Sequence, residues 1–193
     1  MNLKDTRTLT GVAVFTAIVV VLQLLGSFIR FGPFSISLVL IPIVVGAALY
    51  GAGAGAWLGF VFGLVVLLSG DAAAFLTVSP LGTILVVLVK GMLAGFCAGL
   101  IFRAIEKKNQ TVAVVASAVA APVVNTGVFL LGCLVFFLET VRGWSEAAGF
   151  PNVGNFMIFG LVGANFLFEL LVNVVLSPVI LRLIHLGRKS SRH

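Results

Sequence analysis

Lys90 and Glu169 are charged residues that fall inside long apolar stretches of this sequence. A charge at mid-bilayer costs about 2.5–3.5 kcal/mol on insertion scales, so such residues are kept mainly for function or for pairing. Asn125, Asn165 and Asn173 lie in similar surroundings, with Thr126 next to the first. An ammonium, a carboxylate and several amides can hold a polar solute. Lys90 would meet a substrate carboxylate, and the asparagines would donate and accept hydrogen bonds. Glu169 would orient Lys90 or bind a hydroxyl or amide. The same residues can also serve as internal glue, with a Lys90–Glu169 ion pair and asparagines tying helices together. Residue types alone leave both readings open.

The elements that carry these residues read as six helices, at about 9–29, 35–50, 53–69, 80–104, 111–138 and 155–186. Roughly 20 apolar residues span a bilayer, so the chain is expected to be all-α. It reads as a polytopic six-transmembrane-helix bundle in a single domain, residues 1–193. Met1 to Arg7 resembles the start of a signal peptide. The apolar run Leu9 to Ile29 is too long for an h-region and lacks an A-x-A site, so it is read as a retained first span. Pro42 falls inside the short second helix, where it would either kink the helix or mark backbone that lines a cavity. At 1.5 Å per residue, Lys90 and Asn165 each lie roughly 15 Å below one face of the membrane. Asn165, Glu169 and Asn173 follow i, i+4, i+8 and share a helix face. This common depth favours a pocket closed by the first, third and fifth loops. Arg30 and Phe75, on the first and third of those loops, are candidate substrate contacts. The loop aromatics also suit interfacial anchoring.

With both termini in the cytoplasm, the inside holds Lys4, Arg7, Arg103, Lys107, Lys108, Arg182, Arg188, Lys189 and Arg192. Only Arg30 and Arg142 fall outside. That asymmetry is the positive-inside pattern, and it explains the net charge of +6 without nucleic acid. The chain is 61% apolar and 9% charged, against about 25% charged in soluble domains, so lipid must solvate most of it. The expected location is a membrane that the chain crosses several times. Cys97 and Cys133 read as small packing residues at different depths. Neither they nor His185 and His193 make a metal site. No Walker A, G-x-S-x-G or H-E-x-x-H motif occurs. The chain is not expected to be an enzyme or to carry a cofactor, and uphill transport would draw on a partner or an ion gradient.

Lipid tails are as apolar as leucine, so helices in a bilayer associate by close backbone approach or polar contacts. Gly55-x-x-x-Gly59-x-x-x-Gly63 and Gly91-x-x-x-Gly95-x-x-x-Gly99 provide smooth faces on the third and fourth helices. Ala13-x-x-x-Ala17 provides another on the first, which would offer a flat docking surface if it faces outward.

This layout resembles the substrate-binding S components of energy-coupling factor (ECF) vitamin transporters, over Leu9 to about Leu186, which implies a place in the bacterial plasma membrane. The resemblance rests on Ala13-x-x-x-Ala17, on Ser37-Leu38-Val39-Leu40-Ile41-Pro42-Ile43-Val44-Val45-Gly46 leading into the glycine-rich third helix, and on Lys90-Gly91. It implies a vitamin site near the outer face among helices four to six and loops one, three and five. It also implies a complex with a transmembrane scaffold subunit and two ATP-hydrolysing subunits, with Ala13 and Ala17 at the scaffold contact. Lys90 favours a carboxylate-bearing vitamin, so pantothenate ranks first, with riboflavin and folate next. A stand-alone proton-coupled carrier using Glu169 and a purely structural membrane subunit are the rival readings.

Overall fold

The computed structural model describes residues 6–27, 30–31, 34–35 and 38–190, without the side chains of 30–31, 34–35, 189 and 190. Helix α1 (Thr6–Gly26) is followed by a two-residue antiparallel hairpin, β1 (Arg30–Phe31) and β2 (Phe34–Ser35). Then come α2 (Leu40–Tyr50), α3 (Ala52–Leu68), α4 (Ala73–Leu76), α5 (Pro80–Ile105), α6 (Gln110–Phe136) and α7 (Leu138–Ala147). The chain ends with α8 (Val153–Asn155), a π-helical turn (Phe156–Leu161), α9 (Gly163–Val175) and α10 (Ser177–Ser190).

Local chemistry sets several of these boundaries. Ser79 caps α5, its hydroxyl accepting from the Gly82 N–H, and Pro80 occupies the first turn, where its missing N–H costs nothing. Asn109 caps α6 by accepting from the Val112 N–H at 3.0 Å. Gly51, at φ +96°, makes the abrupt turn between α2 and α3, a conformation that glycine adopts without a Cβ penalty.

By length and hydropathy, α1, α5 and α6 can each cross a membrane, and the bent unit Val153–Leu161 plus Gly163–Val175 makes a fourth candidate span. Helices α2 and α3 are shorter apolar helices. The all-helical bundle expected from the sequence is therefore present, with three departures. The second helix begins at Leu40 rather than 35, because residues 34–35 pair in the hairpin. Pro42 consequently sits in the first turn of α2, where no intrahelical bond is lost, and it neither kinks the helix nor lines the cavity. The expected helix 155–186 is also not continuous. It bends by 45° near Val162 and breaks again before Ser177, whose hydroxyl donates to the Val174 carbonyl at 2.7 Å. The expected long loop after α6 contains α7.

Helices α3 and α5 pack antiparallel through their glycines. A Cβ on Gly59 would strike the Gly91 carbonyl, and one on Gly95 would strike the Gly55 carbonyl. A Cβ on Gly63 would lie 2.8 Å from the Val87 carbonyl oxygen. Backbone therefore rests on backbone along three turns, which is how helices gain dispersion contact where no water is expelled. Trp57 adds a polar tie, donating from Nε1 to the Thr16 hydroxyl on α1 at 3.2 Å.

Two buried clusters divide the interior. The larger includes Val19, Leu40, Ile43, Leu58, Phe102, Ile180 and Ile184. The smaller, toward the end bearing the long loops, includes Phe75, Phe129, Cys133, Phe137 and Phe156. Cys97 and Cys133 are both free thiols. The opposite end is tied by an Arg188–Glu106 ion pair and a 2.9 Å His185–Gln110 contact. Large apolar side chains such as Leu81, Leu131, Phe159 and Leu167 point outward, as a lipid-facing surface requires.

Candidate functional site

Between the two clusters, at the long-loop end, a cavity leaves about 70 Å³ open to the centre of a water molecule. Lys90 of α5, Asn125 of α6, and Asn165 and Glu169 of α9 all line it. Three different helices supply these residues, with two of them one turn apart on α9. On α9, the i, i+4 spacing puts Asn165 beside Glu169, and the Asn165 amide donates to Glu169 Oε1 at 3.2 Å.

Lys90 is not sealed against Glu169. Among the described residues it makes no ion pair. Its ammonium instead stands 5.3 Å from the Phe129 ring centroid and 5.8 Å from that of Phe62. Two aromatic faces offer a cation partial compensation. Glu169 is 2% exposed, and its Oε2 has no hydrogen-bond partner among the described residues. The same holds for Asn125 Oδ1, on a residue 5% exposed. Buried polar atoms are normally satisfied, so these two depart from the common pattern.

Phe75, on the short helix α4, also lines the cavity. Its ring meets Phe129, Phe137 and Trp144 edge-to-face at 5.0–5.4 Å. It thus forms part of an aromatic cover at the long-loop end. Asn173 is not part of the lining. It lies one turn beyond Glu169, and its amide donates to the Glu169 carbonyl at 2.8 Å, which braces the helix turn that carries the carboxylate. The Arg30 side chain lies outside the described residues.

Sequence reasoning did not single out Gln23, Asp71, Thr83 or the phenylalanines Phe62, Phe129 and Phe137, which also line the cavity. Gln23 donates from Nε2 to Asp71 Oδ2 at 2.9 Å, joining α1 to the loop after α3. The available signal was a solitary glutamine near the end of an otherwise apolar helix. Among the described residues, no group of His, Cys, Asp and Glu is arranged to hold a metal ion.

A cavity lined by both polar and aromatic side chains suits a small organic solute. The family model for the substrate-specific component of ECF transporters matches residues 7–181. The chain belongs to that family. ECF S components are substrate-binding transport subunits of the membrane, not enzymes, and as a family they bind vitamins and work with a scaffold and ATPase subunits. No curated protein matches this chain. Among solved structures it is similar to ThiT from Listeria monocytogenes, with a TM-score of 0.67 and 22% identity. The match covers 91% of this chain and 93% of that one. At that identity the likeness shows that the two share the S-component fold.

Proposed function

We propose that this S component captures a water-soluble vitamin at the long-loop end, facing the cell exterior, and delivers it inward with a scaffold subunit and two ATP-hydrolysing subunits. The observation that carries this reading is the Lys90 ammonium, held over two rings beside the cavity with no carboxylate within ion-pair distance among the described residues. A buried cation with no carboxylate in direct contact is costly, and a substrate carboxylate would supply that contact. Pantothenate is the favoured vitamin on that ground, with riboflavin and folate behind it. Both termini are cytoplasmic in this reading, in keeping with the positive-inside pattern. The absence of a Lys90–Glu169 ion pair among the described residues weighs against a purely structural role.

Mass spectrometry of small molecules released from the purified chain tests the reading. A carboxylate-bearing vitamin should appear in near-stoichiometric amount. A preparation that carries no vitamin and shows no thermal shift with any would oppose it.

Docking to the scaffold is assigned to α1. Ala13 and Ala17 are both exposed, flanked by the exposed Val14, Ile18 and Val21. Bulk forced into a close-packed face costs about 1–3 kcal/mol. Ala13→Trp or Ala17→Trp should therefore weaken assembly roughly 5- to 150-fold while leaving vitamin affinity unchanged. Co-purification with the scaffold is the measurement, and wild-type recovery of the complex would remove the alanine face from the interface.

A further inference from the structure

We infer that Gln23 on α1 is a substrate-reading residue, and that the site takes an acid bearing hydroxyl or amide N–H donors rather than a cation or a flat neutral ring. The inference rests on the reading of the cavity as the vitamin site.

Gln23 is 1% exposed and lines the cavity. Its orientation is chemically determined. Asp71, which also accepts from the Ser69 hydroxyl at 3.2 Å, offers only acceptor oxygens when ionised. The Gln23 amide must therefore turn its NH₂ toward Asp71, as it does at 2.9 Å. That leaves Gln23 Oε1 buried without a hydrogen-bond partner among the described residues. Glu169 is held in the same manner. Asn165 donates to Oε1, and Oε2 is left over. Asn125 adds an amide to the lining whose Oδ1 has no partner among the described residues.

Among the described residues, the lining thus carries one cation outside ion-pair distance of any carboxylate, Lys90, and two acceptors left without donors, Gln23 Oε1 of α1 and Glu169 Oε2 of α9, beside the Asn125 amide of α6. A guest that satisfies this set carries one acidic group for Lys90 and several O–H or N–H groups for the acceptors. A guest lacking the donors would leave buried acceptors unpaired, which a site built to hydrogen-bond discriminates against strongly. A cationic guest would set its charge close to the Lys90 ammonium. Pantothenate, whose hydroxyls and amide N–H lie on a chain ending in a carboxylate, has the required pattern.

The test is calorimetric titration of the purified full chain with pantothenate, panthenol, riboflavin, folate and thiamine. Panthenol keeps the hydroxyls and the amide but has an alcohol in place of the carboxylate. Wild type should bind pantothenate more tightly than panthenol by roughly 30-fold or more. Gln23→Leu should weaken pantothenate and panthenol alike, by about 5- to 20-fold. Lys90→Met should weaken pantothenate alone, down to the panthenol level. Preferred binding of thiamine or riboflavin by wild type, or unchanged pantothenate affinity in Gln23→Leu, overturns the inference while leaving a vitamin site in place. Failure of wild type to bind any of these compounds removes the vitamin site itself. Should Gln23→Leu not fold, the pantothenate-to-panthenol ratio in wild type still decides the ligand class.

Discussion

Lys90→Ala should weaken vitamin binding sharply while the protein stays folded. Truncating one partner of a buried, hydrogen-bonded charge pair costs about 2–5 kcal/mol, so affinity should fall roughly 30- to 4,000-fold. The fold should tolerate the change, because Lys90 makes no ion pair among the described residues and its contacts are with the rings of Phe62 and Phe129. Removing a charge from lipid also removes its insertion penalty. The result is read by titration calorimetry beside a detergent melting curve. Unchanged affinity would show that the ammonium does not touch the vitamin. A collapse of the melting curve would mean that Lys90 is structural.

Gly59→Val should have the largest effect on stability. The added side chain would meet the Gly91 backbone of α5. A carbonyl in the middle of a helix has no rotamer to change, so the two helices must separate. Overpacking a core costs about 1–3 kcal/mol, occasionally more, and here it would also undo contacts at Gly55 and Gly63 on the same face. The expected result is loss of about 3 kcal/mol or more, seen as poor recovery of monodisperse protein. Gly127→Ala on α6 is the control. Nothing lies within 4 Å of a Cβ there, and alanine is the better helix former by about 1 kcal/mol. Equal behaviour of the two variants would argue against the glycine interface.

Intramembrane polarity was legible in the sequence because it is rare there. Lys90, Asn125, Asn165 and Glu169 stand out against leucine and valine, and the structure gathers all four at one cavity. The glycine periods were legible for the same reason, since spacing of four can be read without knowing the partner helix. Gln23 escaped because it lies near a helix end, where a polar residue ordinarily meets the headgroups. Asp71 lies in the loop just past α3, where an acid ordinarily meets water. Phe62 and Phe129 could not be separated from the other phenylalanines, because in lipid an apolar residue faces inward or outward at nearly equal cost. The bend near Val162 was hidden for a related reason. A membrane helix is apolar all round, so a π-helical turn leaves no break in its hydrophobic pattern. The late start of α2 reflects hairpin pairing at residues 34–35, a tertiary choice that outweighed the apolar run.

The most direct test is an experimental structure of the chain with pantothenate bound. The vitamin is expected in the cavity between α1, α5, α6 and α9, with its carboxylate on Lys90 Nζ and its donors on Gln23, Asn125 and Glu169. A ligand seated elsewhere, or a filled interior with Lys90 closed onto Glu169, would contradict the account.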